Sequence, residues 1–384
     1  MAALLSSVVA LAALSWLGVA TGGGRAQESR LDRPLRMNDI QVVGSHNSYK
    51  QAIDPMLFAL LLERRSPERI RPLEYGHPSL TEQLDCGLRK LELDVIHDPE
   101  GGRYAAPAGL AWVAEAGGPP LRPYDPEGAM KGPGFKVLHV QDLDFRSNCP
   151  TLRRCLEEMR AWSDAHPRHL PIVVTMNAKD DRLMGIDAVV PLAFDEAAFD
   201  ALDREILAVL ARARLIVPDD VRGEAPTLRA AVLANGWPAL DDARGRFLFV
   251  LDESGPKLER YASGHPSLRG RVLFANAPPE RDEAAFLIVN DPVRDGARIR
   301  ELVEQGFLVR TRADADTREA RSGSTARRDA AFASGAQFVS TDYYLESHAE
   351  NPAFGTGYRV VLPGGGVARC NPVRRPDGAC LVVE

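Results

Sequence analysis

The residues that invite chemistry come in short blocks, each at the end of a run of apolar and β-branched residues. After Val42-Val43 the chain reads Gly44-Ser45-His46-Asn47-Ser48-Tyr49; a second run carries Glu92-Leu93-Asp94; a third, Val137–Val140, ends around His139; a fourth continues as Asn177-Ala178-Lys179-Asp180-Asp181. An imidazole exchanges protons near neutral pH, which suits acid–base work. In Glu92-Leu93-Asp94 the two-residue period of a strand puts both carboxylates on one face, with Leu93 on the other. Held side by side they repel unless something positive lies between them. A divalent cation is the economical answer, and an all-oxygen set of Glu, Asp and Asn amide suits Ca2+ or Mg2+. The plain alternative, a solvated strand edge, fits poorly here because Leu91, Leu93 and Val95 embed the pair in apolar sequence.

Elements that hold such blocks on one rim must be strands that end together. Eight runs qualify: Ile40–Gly44, Lys90–Val95, Val137–Val140, Ile172–Met176, Phe247–Leu251, Val272–Ala275, Gly306–Arg310 and Phe338–Ser340. Several are continuously apolar, as parallel strands buried on both faces are. Helix-compatible stretches separate them; Phe194–Ala213 carries Phe199, Leu202, Ile206, Leu207 and Leu210 at helical spacing. Alternating strands and helices, eight of each, predict an α/β fold of the (β/α)8 TIM-type barrel, whose chemistry lies at the C-terminal ends of its strands. A doubly wound open sheet is the runner-up, and its glycine-rich nucleotide fingerprint is missing. Pro99–Gly134, crowded with Gly and Pro, predicts an enlarged loop after the second strand, and the tail from Gly355 a terminal hairpin closed by Cys370 and Cys380.

Over 384 residues, 45% apolar and 26% charged, the composition is that of a globular chain, and a net charge of −6 supplies no footprint for nucleic acid. From Leu4 to Ala20 the chain is almost wholly apolar or small, which predicts a signal peptide over residues 1–26 and a secreted or periplasmic protein; a retained anchor is the competing reading. A catalytic barrel is then expected over 27–354, with 355–384 a tail of the same domain. In an oxidising compartment, Cys149 with Cys155 and Cys370 with Cys380 make two short-loop disulfides, leaving Cys86 alone.

The blocks Gly44-Ser45-His46-Asn47-Ser48-Tyr49 and Leu91-Glu92-Leu93-Asp94, with His139 after a short run, resemble the catalytic half of Ca2+-dependent phosphoinositide-specific phospholipases C, most closely the bacterial secreted type within the PLC-like phosphodiesterase barrels. The likeness extends from about Ile40 to Tyr344, through Arg310-Thr311-Arg312 and Gln337–Tyr344. It implies a phosphoric diester hydrolase that releases diacylglycerol and a cyclic or open inositol phosphate from phosphatidylinositol-type phospholipids at a membrane surface, with no obligate protein partner. By matching positions, His46 stabilises the phosphorane, His139 protonates the leaving oxygen, and Asn47, Glu92, Asp94 and the residue at 177 ligate Ca2+, with Mg2+ the lesser candidate.

Two departures stand out. Asn177 occupies the position of a family glutamate; its amide oxygen still ligates Ca2+ but cannot act as a base, so Glu92 becomes the better proton acceptor. Arg312 stands where the family stacks an aromatic on the inositol ring, leaving that task to Tyr343 or Tyr344. Lys179, Arg310 and Arg312 are expected at the substrate phosphate, and Asp252 and Glu253 to add substrate or supporting contacts. His97 reads as structural or gating, and His77, His166, His169, His265 and His348 as ordinary surface residues. The rivals are a glycerophosphodiester or sphingomyelin-type phosphodiesterase on the same site, and a catalytically silent barrel that binds headgroups.

Overall fold

Eight parallel strands form a nearly closed barrel: β1 (Ile40–Ser45), β2 (Lys90–Ile96), β4 (Ile172–Ala178), β5 (Phe247–Leu251), β6 (Phe274–Ala275), β7 (Phe286–Ile288), β8 (Leu308–Arg312) and β9 (Phe338–Thr341). Two further strands, β3 (Lys136–Val137) and β10 (Ala368–Cys370), add antiparallel to β2 and β1. Around the barrel the order is β6, β5, β4, β2, β1, β9, β8, β7. The circuit closes through a lone parallel bridge between Asn276 and Phe286 and through Ile288 N–H, which donates to Asn276 Oδ1 at 3.0 Å. This computed structural model describes residues 34–183, 188–346, 348–352, 354–376, 382 and 384. Residues 34–384 form one compact unit, and among the described residues no helix is long and apolar enough to cross a membrane. The expected export segment, residues 1–26, lies outside the described residues.

Strand alternation explains the layering. Leu91, Leu93 and Val95 of β2 join the apolar layer between barrel and helices, while Lys90, Glu92 and Asp94 share the opposite face. The helix expected over Phe194–Ala213 runs Glu196–Leu210; Asp195 caps it by accepting from Ala198 N–H at 2.8 Å. Its buried stripe is Phe199, Leu202, Ile206, Val209 and Leu210, whereas Leu207 is exposed, one position off the stripe.

The count of eight holds, but one member changes. Val137–Val140 is no barrel strand: Lys136–Val137 pairs antiparallel with Ile96 and Val95 inside the excursion between β2 and β4. The missing member is Phe286–Ile288, only three residues long. A short apolar run looks the same whether it pairs parallel in a barrel or antiparallel beside it, so only the pairing partner separates the two. In the tail, the one strand among the described residues pairs with β1, through Ile40↔Cys370 and Val42↔Ala368. The Cys149–Cys155 disulfide is present and Cys86 is free and exposed; Cys380 lies outside the described residues.

Candidate active site

The turn after β1 is built to aim His46. Ser48 N–H donates to the Glu92 carbonyl at 2.9 Å, and Glu92 N–H donates to Ser48 Oγ at 2.7 Å, locking the turn to β2. Asn47 takes a left-handed backbone (φ 47°) that lets the chain reverse, and its side-chain amide donates to Tyr75 Oη at 2.7 Å. Gly44 is required by close approach. A methyl there would lie 2.4 Å from both Cβ and the carbonyl oxygen of Lys90, the residue opposite it in register.

His46 is held by its Nδ1, 3.0 Å from Asp342 Oδ1 at the end of β9. Its Nε2 lies 3.6 Å from Glu92 Oε1 and 3.2 Å from Arg312 Nη1. Below the ring, His77 Nε2 donates to the His46 carbonyl at 2.8 Å, and Tyr75 Oη approaches Nδ1 at 3.4 Å. Burial, and then the Arg312 charge, push the imidazole down to about 4 against the opposing pull of Asp342 and Glu92, so the ring is neutral at pH 7. Burial works against ionised Asp342, yet His46, His77 and Arg312 hold its carboxyl well below the usual range.

Glu92 is gripped from below. Its Oε2 accepts from Lys90 Nζ at 2.6 Å, Arg310 Nη2 at 2.6 Å and Thr175 Oγ1 at 3.2 Å, which leaves Oε1 toward His46. Despite burial, Arg310 and Lys90 keep the carboxyl well below the ordinary glutamate value. Arg310 therefore acts on the protein and not on solvent: it is 2% exposed, with Nε on Ser340 Oγ and Nη1 on Asn290 Oδ1. Arg312 spans Asp342 Oδ2 at 3.2 Å and the Asp314 carbonyl at 2.9 Å.

Parallel register sets Asn177 opposite Asp94 and Thr175 opposite Glu92. The Asn177 amide donates to the Asp252 carbonyl at 2.8 Å. With the Asn47 amide spent on Tyr75, both asparagines keep their carbonyl oxygens as the uncommitted group. Asp94 Oδ2 faces Lys179 Nζ at 3.3 Å, and its Oδ1 is buried with no hydrogen-bond partner. An orphaned buried carboxylate oxygen, opposite the Asn177 amide in register and on the same strand face as Glu92, is oxygen chemistry that fits a hard cation. Among the described residues no three His, Cys, Asp or Glu cluster as a metal site, so a cation here would need amide oxygens beside the two carboxylates. Just past the end of the neighbouring β5, burial raises Asp252 to about 6 and Glu253 to about 7.

His139 reaches the rim by a route that sequence spacing does not reveal. β4 occupies one edge of β2, and β1 pairs the other only at Lys90, so β3 takes the freed edge at Val95 and Ile96. Running antiparallel, the chain beyond Val137 turns back along the Asp94 end of β2. His139 Nδ1 there meets the fully buried Asp144 Oδ2 at 2.7 Å, and Asp144 Oδ1 lies 3.3 Å from Lys50 Nζ on the β1 turn.

The structure thus links His46 directly to Glu92 and Arg312 and, through Tyr75, to Asn47, and pairs Asp94 with Lys179 opposite Asn177, while His139 is tied to Asp144. Tyr343 is set apart: it is 6% exposed and packs edge-on against Phe354 and Tyr358. Tyr344 stacks on His77 instead. His97 is structural, stacked 5.0 Å from Phe135. Two histidines read as surface residues are buried: His77 under His46, and His169 against Ser163 and the Leu170 carbonyl. Asp342, Asp144 and Tyr75 join the site without a chemical motif of their own in the sequence. Asp342 directly follows the last barrel strand, the one local signal that could have singled it out.

A family model described as "Phosphoinositide phospholipase C, Ca2+-dependent" matches residues 35–372. Among solved structures, the chain resembles a calcium-dependent phosphoinositol-specific phospholipase C from a Gram-negative Pseudomonas species in its myoinositol complex. That match has 17% identity and a TM-score of 0.52, covering 88% of this chain and 96% of the other. A second crystal form of the Pseudomonas protein matches with 16% identity and a TM-score of 0.51, covering 88% and 95%. At these identities the likeness speaks to the fold, the PLC-like phosphodiesterase barrel. No curated protein matches the chain.

Proposed function

The chain belongs to the family of Ca2+-dependent phosphoinositide phospholipases C, and on that footing we propose that it cleaves phosphatidylinositol-type lipids with two carboxylate-held histidines. One observation carries the reading: His46 and His139 each have Nδ1 on a buried carboxylate, Asp342 and Asp144, which leaves each Nε2 as the working nitrogen. The neighbouring inositol hydroxyl attacks phosphorus, and its proton must go to a nearby base. Between the two candidates, Glu92 is a weak acceptor because Lys90 and Arg310 already hold its charge. His46, neutral and oriented by Asp342, is the better one once the arriving phosphate draws the Arg312 guanidinium, 3.2 Å away, off its Nε2. His139 delivers a proton to the departing diacylglycerol oxygen. Asn47, Glu92, Asp94 and Asn177 would hold Ca2+, which when bound lowers the pKa of the attacking hydroxyl and clamps phosphate charge.

Arg312 also favours a second reading. It fills the place of a ring-stacking aromatic while Tyr343 and Tyr344 pack into the protein, which suits a phosphodiesterase of another headgroup, glycerol or choline. Export to the periplasm or medium belongs to the same proposal, supported by the apolar Leu4–Ala20 stretch and the Cys149–Cys155 disulfide. The test is turnover of phosphatidylinositol against glycerophosphodiesters, each with and without a calcium chelator. The proposal expects chelator-sensitive release of diacylglycerol from phosphatidylinositol. Preference for glycerophosphodiesters selects the second reading, and turnover indifferent to the chelator removes the metal.

A further inference from the structure

The proposed cation site already contains cations of its own. Lys90 and Arg310 both sit on Glu92 Oε2 at 2.6 Å, and Lys179 faces Asp94 Oδ2 at 3.3 Å. Three basic side chains thus serve the two carboxylates offered as ligands, and the position opposite Asp94 is an uncharged Asn177. Lys90 and Arg310 are wholly buried and cannot leave. Lys179 differs: it is rooted just past β4, its backbone N–H donates to the Val95 carbonyl at 2.9 Å, and its side chain is 31% exposed. Its ammonium, on a flexible stem, can swing away from Asp94 without opening the barrel.

We propose that Lys179 is a tethered competitor of the divalent ion: its ammonium neutralises Asp94 when the site is empty and must be displaced for Ca2+ to bind. The inference rests on the calcium reading above and deepens it. A compact ammonium and a dication cannot share one buried carboxylate face without strong repulsion, since like charges about 4 Å apart oppose each other even at protein-like dielectric. The consequence is a site that stays assembled without metal and fills only at high calcium, toward the weak, roughly millimolar end known for extracellular Ca2+ modules. Once displaced, Lys179 is a free cation at the rim, where the substrate phosphate arrives.

The test is calorimetric titration of CaCl2 into the metal-stripped full-length protein and its Lys179→Met, Lys179→Arg and Asp94→Asn variants. Lys179→Met keeps the stem and removes the charge, so calcium affinity should rise at least about tenfold. Lys179→Arg keeps a cation on Asp94 and should bind as weakly as the wild type, whereas Asp94→Asn should lose the heat. If Lys179→Met binds no more tightly than the wild type while Asp94→Asn still loses binding, the competitor role is overturned and the calcium reading stands. If neither the wild type nor Lys179→Met takes up calcium, the calcium reading itself fails. Thermal midpoints with and without calcium separate these outcomes from misfolding, because the calcium-dependent rise should be larger for Lys179→Met than for the wild type and absent in Asp94→Asn.

Discussion

Replacing Asp342 by asparagine tests the arrangement around His46 most sharply. The carboxylate is 1% exposed on its side chain and faces His46 Nδ1 at 3.0 Å, Arg312 Nη2 at 3.2 Å and His77 Nε2 at 3.6 Å. Asparagine has nearly the same shape, but it removes the charge and offers an amide that can turn its N–H toward His46. The imidazole is then free to settle in the wrong tautomer, with its proton on Nε2. In an aspartate–histidine couple of this kind the isosteric change costs about 10^4-fold in turnover, and His46 has a second, weaker partner in Tyr75 Oη at 3.4 Å. We therefore expect kcat/KM on phosphatidylinositol in mixed micelles to fall about 10^3- to 10^4-fold, or about 4–5.5 kcal/mol of transition-state stabilisation. Leaving Arg312 short of its buried counter-ion should also lower stability by about 3 kcal/mol, so rates are to be read well below the melting midpoint found by circular dichroism. Calcium binding should be unchanged, because Asp342 is not among the proposed ligands. A folded Asp342→Asn protein that keeps turnover within about threefold of the wild type would refute the role given to His46.

Two further outcomes follow from the geometry. His139→Ala should abolish release of diacylglycerol, a poor leaving group, yet retain much of its turnover on an aryl phosphodiester whose phenolate departs without a proton; equal losses on both substrates would sink the general-acid assignment. Far from the site, burial raises the Asp203 carboxyl to about 6 despite Arg271 and Tyr261 nearby. A raised carboxyl favours the folded state below the unfolded value near 3.9 and loses that advantage as the pH climbs through 6. Urea unfolding should thus show Asp203→Asn gaining about 2–3 kcal/mol relative to the wild type between pH 4 and pH 7.5, and a constant difference would discard the effect.

Much of the barrel was readable from periodicity because its strands are buried on both faces, and continuous apolar runs such as Phe247–Leu251 leave little else to conclude. The turn Ser45–Ser48 and the Glu92-Leu93-Asp94 pair were readable because their chemistry is local: one strand's alternation suffices to put two carboxylates on one face. Phe286–Ile288 and Lys136–Val137 are not told apart by sequence, because a two- or three-residue strand is defined by the neighbour it pairs with.

What the sequence by itself determined is the set of groups: two histidines, two carboxylates, amides and a lysine, all but His139 on barrel strands or just past their ends. The tertiary structure decided what each group is free to do. Arg310, read as a phosphate ligand, is spent on Glu92 from the far side of the barrel, and Tyr343 on its aromatic neighbours. Asp342 and Asp144, unremarkable in sequence, became the partners that orient the imidazoles. Asp342 and His46 are separated by 296 residues, and Arg310 and Glu92 by 218. No local pattern encodes such pairs; closure of the barrel brings them within hydrogen-bond reach, and low-dielectric burial then makes each pairing decisive for charge.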